Sequence, residues 1–130
     1  MCWFIHFRVV LQKDTPHARD QIAPLPKGCA ACTPTFPLMT IPNGMCGCGY
    51  VLEAGGGIIP EAVATMRHFL AQPPTKRVEI WWRWESGLAV PNLPVAEHPI
   101  ELTEFVSQNT TRQLKPETRY RVTDPTKFAH

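Results

Sequence analysis

Six prolines, at positions 16, 24, 26, 34, 37 and 42, crowd the stretch from Asp14 to Pro42 and bar any long regular element from it. Each proline holds its own φ near about −65° and removes one backbone donor, so neither a helix interior nor a central strand can pass through. The same stretch and the residues just after it hold four of the chain's five cysteines, Cys29, Cys32, Cys46 and Cys48. Irregular segments of this length inside a compact domain tend to carry function or to be pinned by something other than a helix stripe. Residues 14–49 therefore read as a long Cys/Pro-rich loop, with one short strand expected at Phe36 to Ile41. Asn43-Gly44 marks a turn within it, since both residues tolerate positive φ.

Outside that loop the periodicity is clear. Trp3, Ile5, Phe7, Val9 and Leu11 share one face of an extended segment, with Phe4, His6, Arg8 and Val10 on the other. That is the two-residue period of a strand, and its half-apolar second face predicts partial cover on both sides. Arg77 to Glu85 predicts a second strand. Val78, Ile80, Trp82 and Trp84 alternate there with Arg77, Glu79, Trp81, Arg83 and Glu85, and the opposed charges suit cross-strand pairing in water. A third follows at Thr118, Tyr120 and Val122, alternating with Arg119, Arg121 and Thr123.

Pro60 to Gln72 predicts a helix. Pro60 can take the first helical position, Glu61 favours the positive end of the dipole, and Ala62, Val63, Met66, Phe69 and Leu70 line one face before Pro73-Pro74. A shorter amphipathic helix is expected from Ile100 to Gln108, and a short strand from Tyr50 to Glu53. The segment through Pro91 and Pro94 reads as a connection. One sheet covered on one face by two helices buries all of these stripes. The expected fold is thus α+β: a two-layer sandwich with one mostly antiparallel sheet, in a single domain spanning residues 1–130. A chain of 130 residues is long enough to bury such a core without obligatory staples.

Thirteen Lys and Arg against eleven Asp and Glu leave a net charge of +2, spread evenly over the two halves. This is no field for non-specific duplex binding, and nucleic acid is disfavoured as a partner. The apolar start is interrupted by His6 and Arg8, falls short of a membrane span, and lacks the marks of a secretory leader. No membrane role is expected, and the expected setting is a reducing cytoplasm, where cysteines serve as thiols or metal ligands and not as a disulfide framework.

Three readings of the cysteines stand side by side. Cys29-x2-Cys32 and Cys46-x-Cys48 can fold back into a tetrahedral set, and zinc accepts four thiolates at about 2.3 Å. Cys46 and Cys48 would point to opposite sides of a regular strand, so both reach one metal only if the backbone bends at Gly47. Alternatively, the CxxC spacing suits a thiol redox or nucleophilic site, although Pro34 and Pro37 deny Cys29 a helix N-terminus. Otherwise the thiols pack under the loop as small apolar groups. Cys2 is expected to pack, and His6 to be a partly buried, hydrogen-bonded histidine.

Two further features invite function. Alternation turns Trp82 and Trp84 toward the core and leaves Trp81 outward between Arg77 and Arg83, a surface for a protein partner or a second copy of the chain. Glu79 and Glu85 on that face oppose phosphate-rich ligands. Gly55-Gly56-Gly57 before the first helix offers either an anion cradle or a tight turn; the sequence lacks GxGxxG and any following Lys-Ser/Thr.

Overall fold

The computed structural model describes residues 2–26, 28–29, 38–41, 47–85 and 96–128. In chain order they form β1 (Cys2–Leu11), α1 (Pro16–Asp20), β2 (Leu38–Ile41), a 3-10 turn (Glu53–Gly55), α2 (Pro60–Leu70), β3 (Thr75–Glu85), β4 (Ala96–Glu101), α3 (Leu102–Thr110), β5 (Thr118–Thr123) and a last 3-10 turn (Pro125–Phe128). The strands make one sheet in the order β2-β1-β3-β5-β4. All pairings are antiparallel except β4 with β5, which run parallel and are joined through α3.

The long β1–β3 ladder is the spine of the sheet. It runs from Cys2 opposite Glu85 to Val10 opposite Arg77 before the register shifts at Leu11. This register sets Ile5 beside Trp82, Phe7 beside Ile80 and Val9 beside Val78, and β5 continues the row with Tyr120 and Val122. Onto this face α2 lays Ala62, Met66, Phe69 and Leu70, and α3 lays Phe105, so both helices share the core with the apolar row. Burying a side chain such as Leu70 or Phe69 there is worth about 1.5–3 kcal/mol. The end of α2 is fixed from far along the chain. Lys127 Nζ donates to the carbonyls of Leu70 (2.7 Å), Thr75 (2.6 Å) and Gln72. The Leu70 carbonyl is one of those that a helix C-terminus otherwise leaves without a donor, and the other two tie the following turn to the start of β3.

The two-layer α+β plan and the three long strands match the sequence expectation, as does Pro60–Leu70. Three local expectations need correction. Ile100 and Glu101 close β4, so the second helix starts at Leu102. Sequence alone leads from the Pro91–Pro94 connection to the helix with no strand between; β4 carries Pro99 and buries only Ile100, both of which an edge strand tolerates. The strand expected at Tyr50 to Glu53 reduces to a single bridge, Val51 to Ile58, with the 3-10 turn between. In the Pro-rich stretch, α1 forms behind a Thr15 side chain that accepts the Ala18 N–H at 3.1 Å. Of the short strand expected there, Leu38–Ile41 pairs with β1, while Phe36 and Pro37 lie outside the described residues.

Candidate functional site

The four loop cysteines are described only in part. Cys29 is half-buried and Cys48 exposed, and Cys32 and Cys46 lie outside the described residues. Both described thiols sit on turns. The Cys29 N–H donates to Pro26 O at 3.4 Å beside Gly28, whose φ is +98°, and the Tyr50 N–H donates to Gly47 O at 2.9 Å across Cys48. Cys2 is half-buried at the end of the β1–β3 ladder. Among the described residues no three His, Cys, Asp or Glu side chains gather as metal ligands. Nor is any helix among them long and apolar enough to cross a membrane.

The face of the sheet turned away from α2 and α3 departs from expectation. Trp81, expected outward and exposed, does point away from the helices, but it is only 1% exposed. Parity in a strand decides which side a residue faces; it does not decide whether that side is wet. Phe4, His6 and Glu79 on the same face are equally hidden. Trp84, expected inward, is the exposed large apolar side chain among the described residues, at 47%. It shares parity with Trp82 and forms a T-shaped pair with Trp3, at 5.5 Å between ring centres. The surface expected from Trp81, Arg77 and Arg83 therefore has no exposed indole, and its guanidiniums are half-buried.

What gathers around Trp81 is charge. His6 lies beside it, 5.5 Å between ring centres, and its Nδ1 is 3.1 Å from Thr40 Oγ1. Arg119 of β5 stacks its guanidinium carbon 4.7 Å above the indole. Arg77 Nε donates to the buried Glu79 at 3.0 Å. Arg121 stands opposite Glu79 on β5. Two further carboxylates approach more loosely: Glu97 at 3.4 Å from Arg119 and Glu117 at 3.7 Å from Arg83. Both are at least half exposed, so these pairs hold weakly.

These contacts leave donors over. Trp81 Nε1, Arg83 Nε and Nη1, Arg119 Nε and Arg121 Nε are all buried and find no acceptor among the described residues. Leaving a buried donor unmade costs about 1–3 kcal/mol, and more for a charged group, so one such atom is notable and five on neighbouring strands form a pattern. The sequence signal was present in part. Arg119 and Arg121 are legible as the outer face of a strand, but only the pairing of β3 with β5 places Arg119 over Trp81 and Arg121 opposite Glu79.

The glycine run is a turn. Gly55 N–H donates to Leu52 O and Gly56 N–H to Glu53 O, while Asn109 clamps Ile58 through both its amide oxygen (2.8 Å) and nitrogen (3.1 Å). A Cβ at Gly57 would stand 2.7 Å from Asn109 Oδ1, so glycine is required there by space. A cleft of about 400 Å³ opens at the far edge, lined by His98, Thr118, Tyr120, Gln108, Gln113 and Lys115 among others. Tyr120 Oη accepts the Lys115 N–H at 2.7 Å, and burial pushes the Tyr120 hydroxyl above the ordinary tyrosine pKa. Sequence reasoning missed this cleft because β4 supplies His98.

No protein-family model, curated protein or solved structure matches the chain.

Proposed function

We propose that this α+β domain is a binding module that receives an anionic group on the sheet face carrying Trp81, Arg83, Arg119 and Arg121. The observation behind the reading is the set of buried donors on that face without acceptors. An apolar ligand would leave them unmade; an anion satisfies them with charge-assisted bonds, about twice as strong as those to a neutral acceptor. The opposite face is closed by helices and supplies stability. The irregular segment 14–49 needs an anchor of its own, and the proposed anchor is one zinc ion held by Cys29, Cys32, Cys46 and Cys48. Turns at both Cys29 and Cys48 favour that reading over strand geometry, which would splay neighbouring thiols apart. Zinc there would make the order of the segment depend on the metal.

The zinc proposal predicts one metal per chain in the native mass spectrum after purification in reducing buffer without added metal. Cys46→Ser should lose it together with protection of residues 14–49 from protease. Four titrating thiols, no metal and unchanged stability in chelator would overturn it. The binding face is tested by thermal unfolding in a panel of salts at one ionic strength. An anion-specific rise in Tm, carboxylates included, supports the reading. A Tm that follows ionic strength alone removes it.

A further inference from the structure

We propose that the cleft at the β4–β5 edge binds a small organic monocarboxylate with a hydroxyl or oxo group beside the carboxylate. The site is separate from the Trp81 face and does not depend on it. Its volume of about 400 Å³ lies at the small end of the range for small-molecule pockets, about 300–1,000 Å³. Ala96 pairs with Thr118 and His98 with Tyr120, so these four side chains leave the sheet on the side of α3, where Tyr120 meets Phe105. Ala96 ends at its β-carbon, and that short side chain leaves the space beside Thr118 open. Gln108 from the last turn of α3, with Gln113 and Lys115 after it, supplies the rest of the polar lining. Tyr120 ties these groups together. Its Oη accepts the Lys115 N–H at 2.7 Å and bonds the Thr118 side chain, and its ring lies 5.8 Å from that of His98. Trp82 and Phe105 hold the same ring in the core, so the lining is fixed before a ligand enters.

Charge selects the class of ligand. The lining holds one lysine, Lys115, and one carboxylate, Glu97. Glu97 is the register partner of Arg119, so its side chain leaves on the opposite face, 3.4 Å from the Arg119 guanidinium. Lys115 Nζ has no carboxylate within ion-pair distance among the described residues. A monocarboxylate gives that ammonium a charge-assisted partner, and a second negative charge would find none. The dipole at the end of α3 opposes an anion, but its last carbonyls are closed by their own turn. Thr111 N–H donates to Ser107 O at 3.1 Å, Arg112 N–H to Asn109 O at 3.3 Å and Gln113 N–H to Gln108 O at 2.9 Å. The neutral part of the ligand meets the two amides. Gln108 Nε2 donates to Glu104 at 2.9 Å, which leaves its oxygen and one hydrogen, and the Gln113 amide makes no hydrogen bond among the described residues. Such a mixture of donors and acceptors suits a hydroxyl or oxo group better than a plain alkyl chain.

The test is a proton–nitrogen correlation spectrum of the full chain, titrated at matched ionic strength. The probes are lactate and mandelate, their neutral amides lactamide and mandelamide, and propionate, which lacks the hydroxyl. Lactate or mandelate should move the His98 and Gln113 signals saturably, with the amides and propionate weaker by about tenfold or more. The indole N–H of Trp81, assigned by its loss in Trp81→Phe, should stay in place. Lys115→Gln removes the charge but keeps the backbone N–H that holds Tyr120 Oη, and should weaken binding of the acid about tenfold. Ala96→Leu fills the cleft without removing a polar group and should abolish binding. Each variant is shown folded by the rest of its spectrum. Amides or propionate that bind as tightly as the hydroxy acids would overturn the inference. So would His98 and Gln113 signals that do not move, or folded variants that bind as the parent does. Movement of the Trp81 indole in their place would put the acid on the anion-binding face, overturning this cleft and leaving that face standing.

Discussion

Trp81 and Trp82 are adjacent in the chain and equally hidden, at 1% and 0% exposure, yet they sit in opposite chemical settings. Trp82 faces the helices, stacks on Tyr120 at 5.8 Å, and donates its indole N–H to Gly55 O at 2.8 Å. Trp81 faces the other way under the Arg119 guanidinium, and its N–H has no acceptor among the described residues. The Trp82 ring and its N–H are thus both used in holding the fold. The charged side keeps capacity in reserve. A face saturated with internal partners stabilises, whereas buried donors without acceptors cost stability, and that contrast is what the proposed anion-binding face rests on.

The largest effect should come from the helix side. Trp82→Ala removes the centre of the core row and the Gly55 contact together, and is expected to cost about 3–5 kcal/mol in urea unfolding. A loss below about 1 kcal/mol would mean that the row is not the core. A matched pair of changes then tests the contrast itself. Trp82→Phe leaves a buried carbonyl without its donor and should cost about 1–3 kcal/mol. Trp81→Phe deletes a donor that had no acceptor, so in buffer without phosphate or sulfate it should fall within about 1 kcal/mol of the parent. Adding a ligand of that face should stabilise the parent and not the Trp81→Phe chain. Equal losses in the two variants would erase the distinction between the faces.

Much of this architecture was legible because it depends on period. Ile5, Phe7 and Val9 against Val78, Ile80 and Trp82 announce two strands with a common buried side, and the Pro60 helix announces its own stripe. What period could not deliver was the state of the second face. His6, Glu79 and Trp81 look like an ordinary outer row, and only tertiary placement makes them dry. Strand order was equally beyond local reading. β5 sits next to β3 because β4 enters in parallel at the edge, and that crossover brings Arg119 and Arg121 to Trp81. Cys32 and Cys46, on which the zinc proposal turns, lie outside the described residues.

A smaller effect sharpens the claim that the helix side excludes water. Tyr120 is 3% exposed, its ring wedged between Trp82 and Phe105, and burial raises its hydroxyl pKa despite the Lys115 N–H, which favours the phenolate. The folded pKa lies above the unfolded one, so the folded state holds this proton more tightly once pH passes the ordinary tyrosine value of about 10. The associated stability is fully present below that value and is lost as pH rises through the folded pKa. Tyr120→Phe cannot ionise. Its stability at neutral pH should drop by about 1 kcal/mol through loss of the acceptor for Lys115, but the difference from the parent should shrink as pH rises above about 10. In a Tyr50→Phe background the phenolate absorbance reports Tyr120 by itself, since the chain has two tyrosines. Ionisation at or below the ordinary value, with parallel pH profiles for parent and Tyr120→Phe, would show that water reaches Tyr120 from the cleft beside His98, and the helix side would then be less closed than its contacts imply.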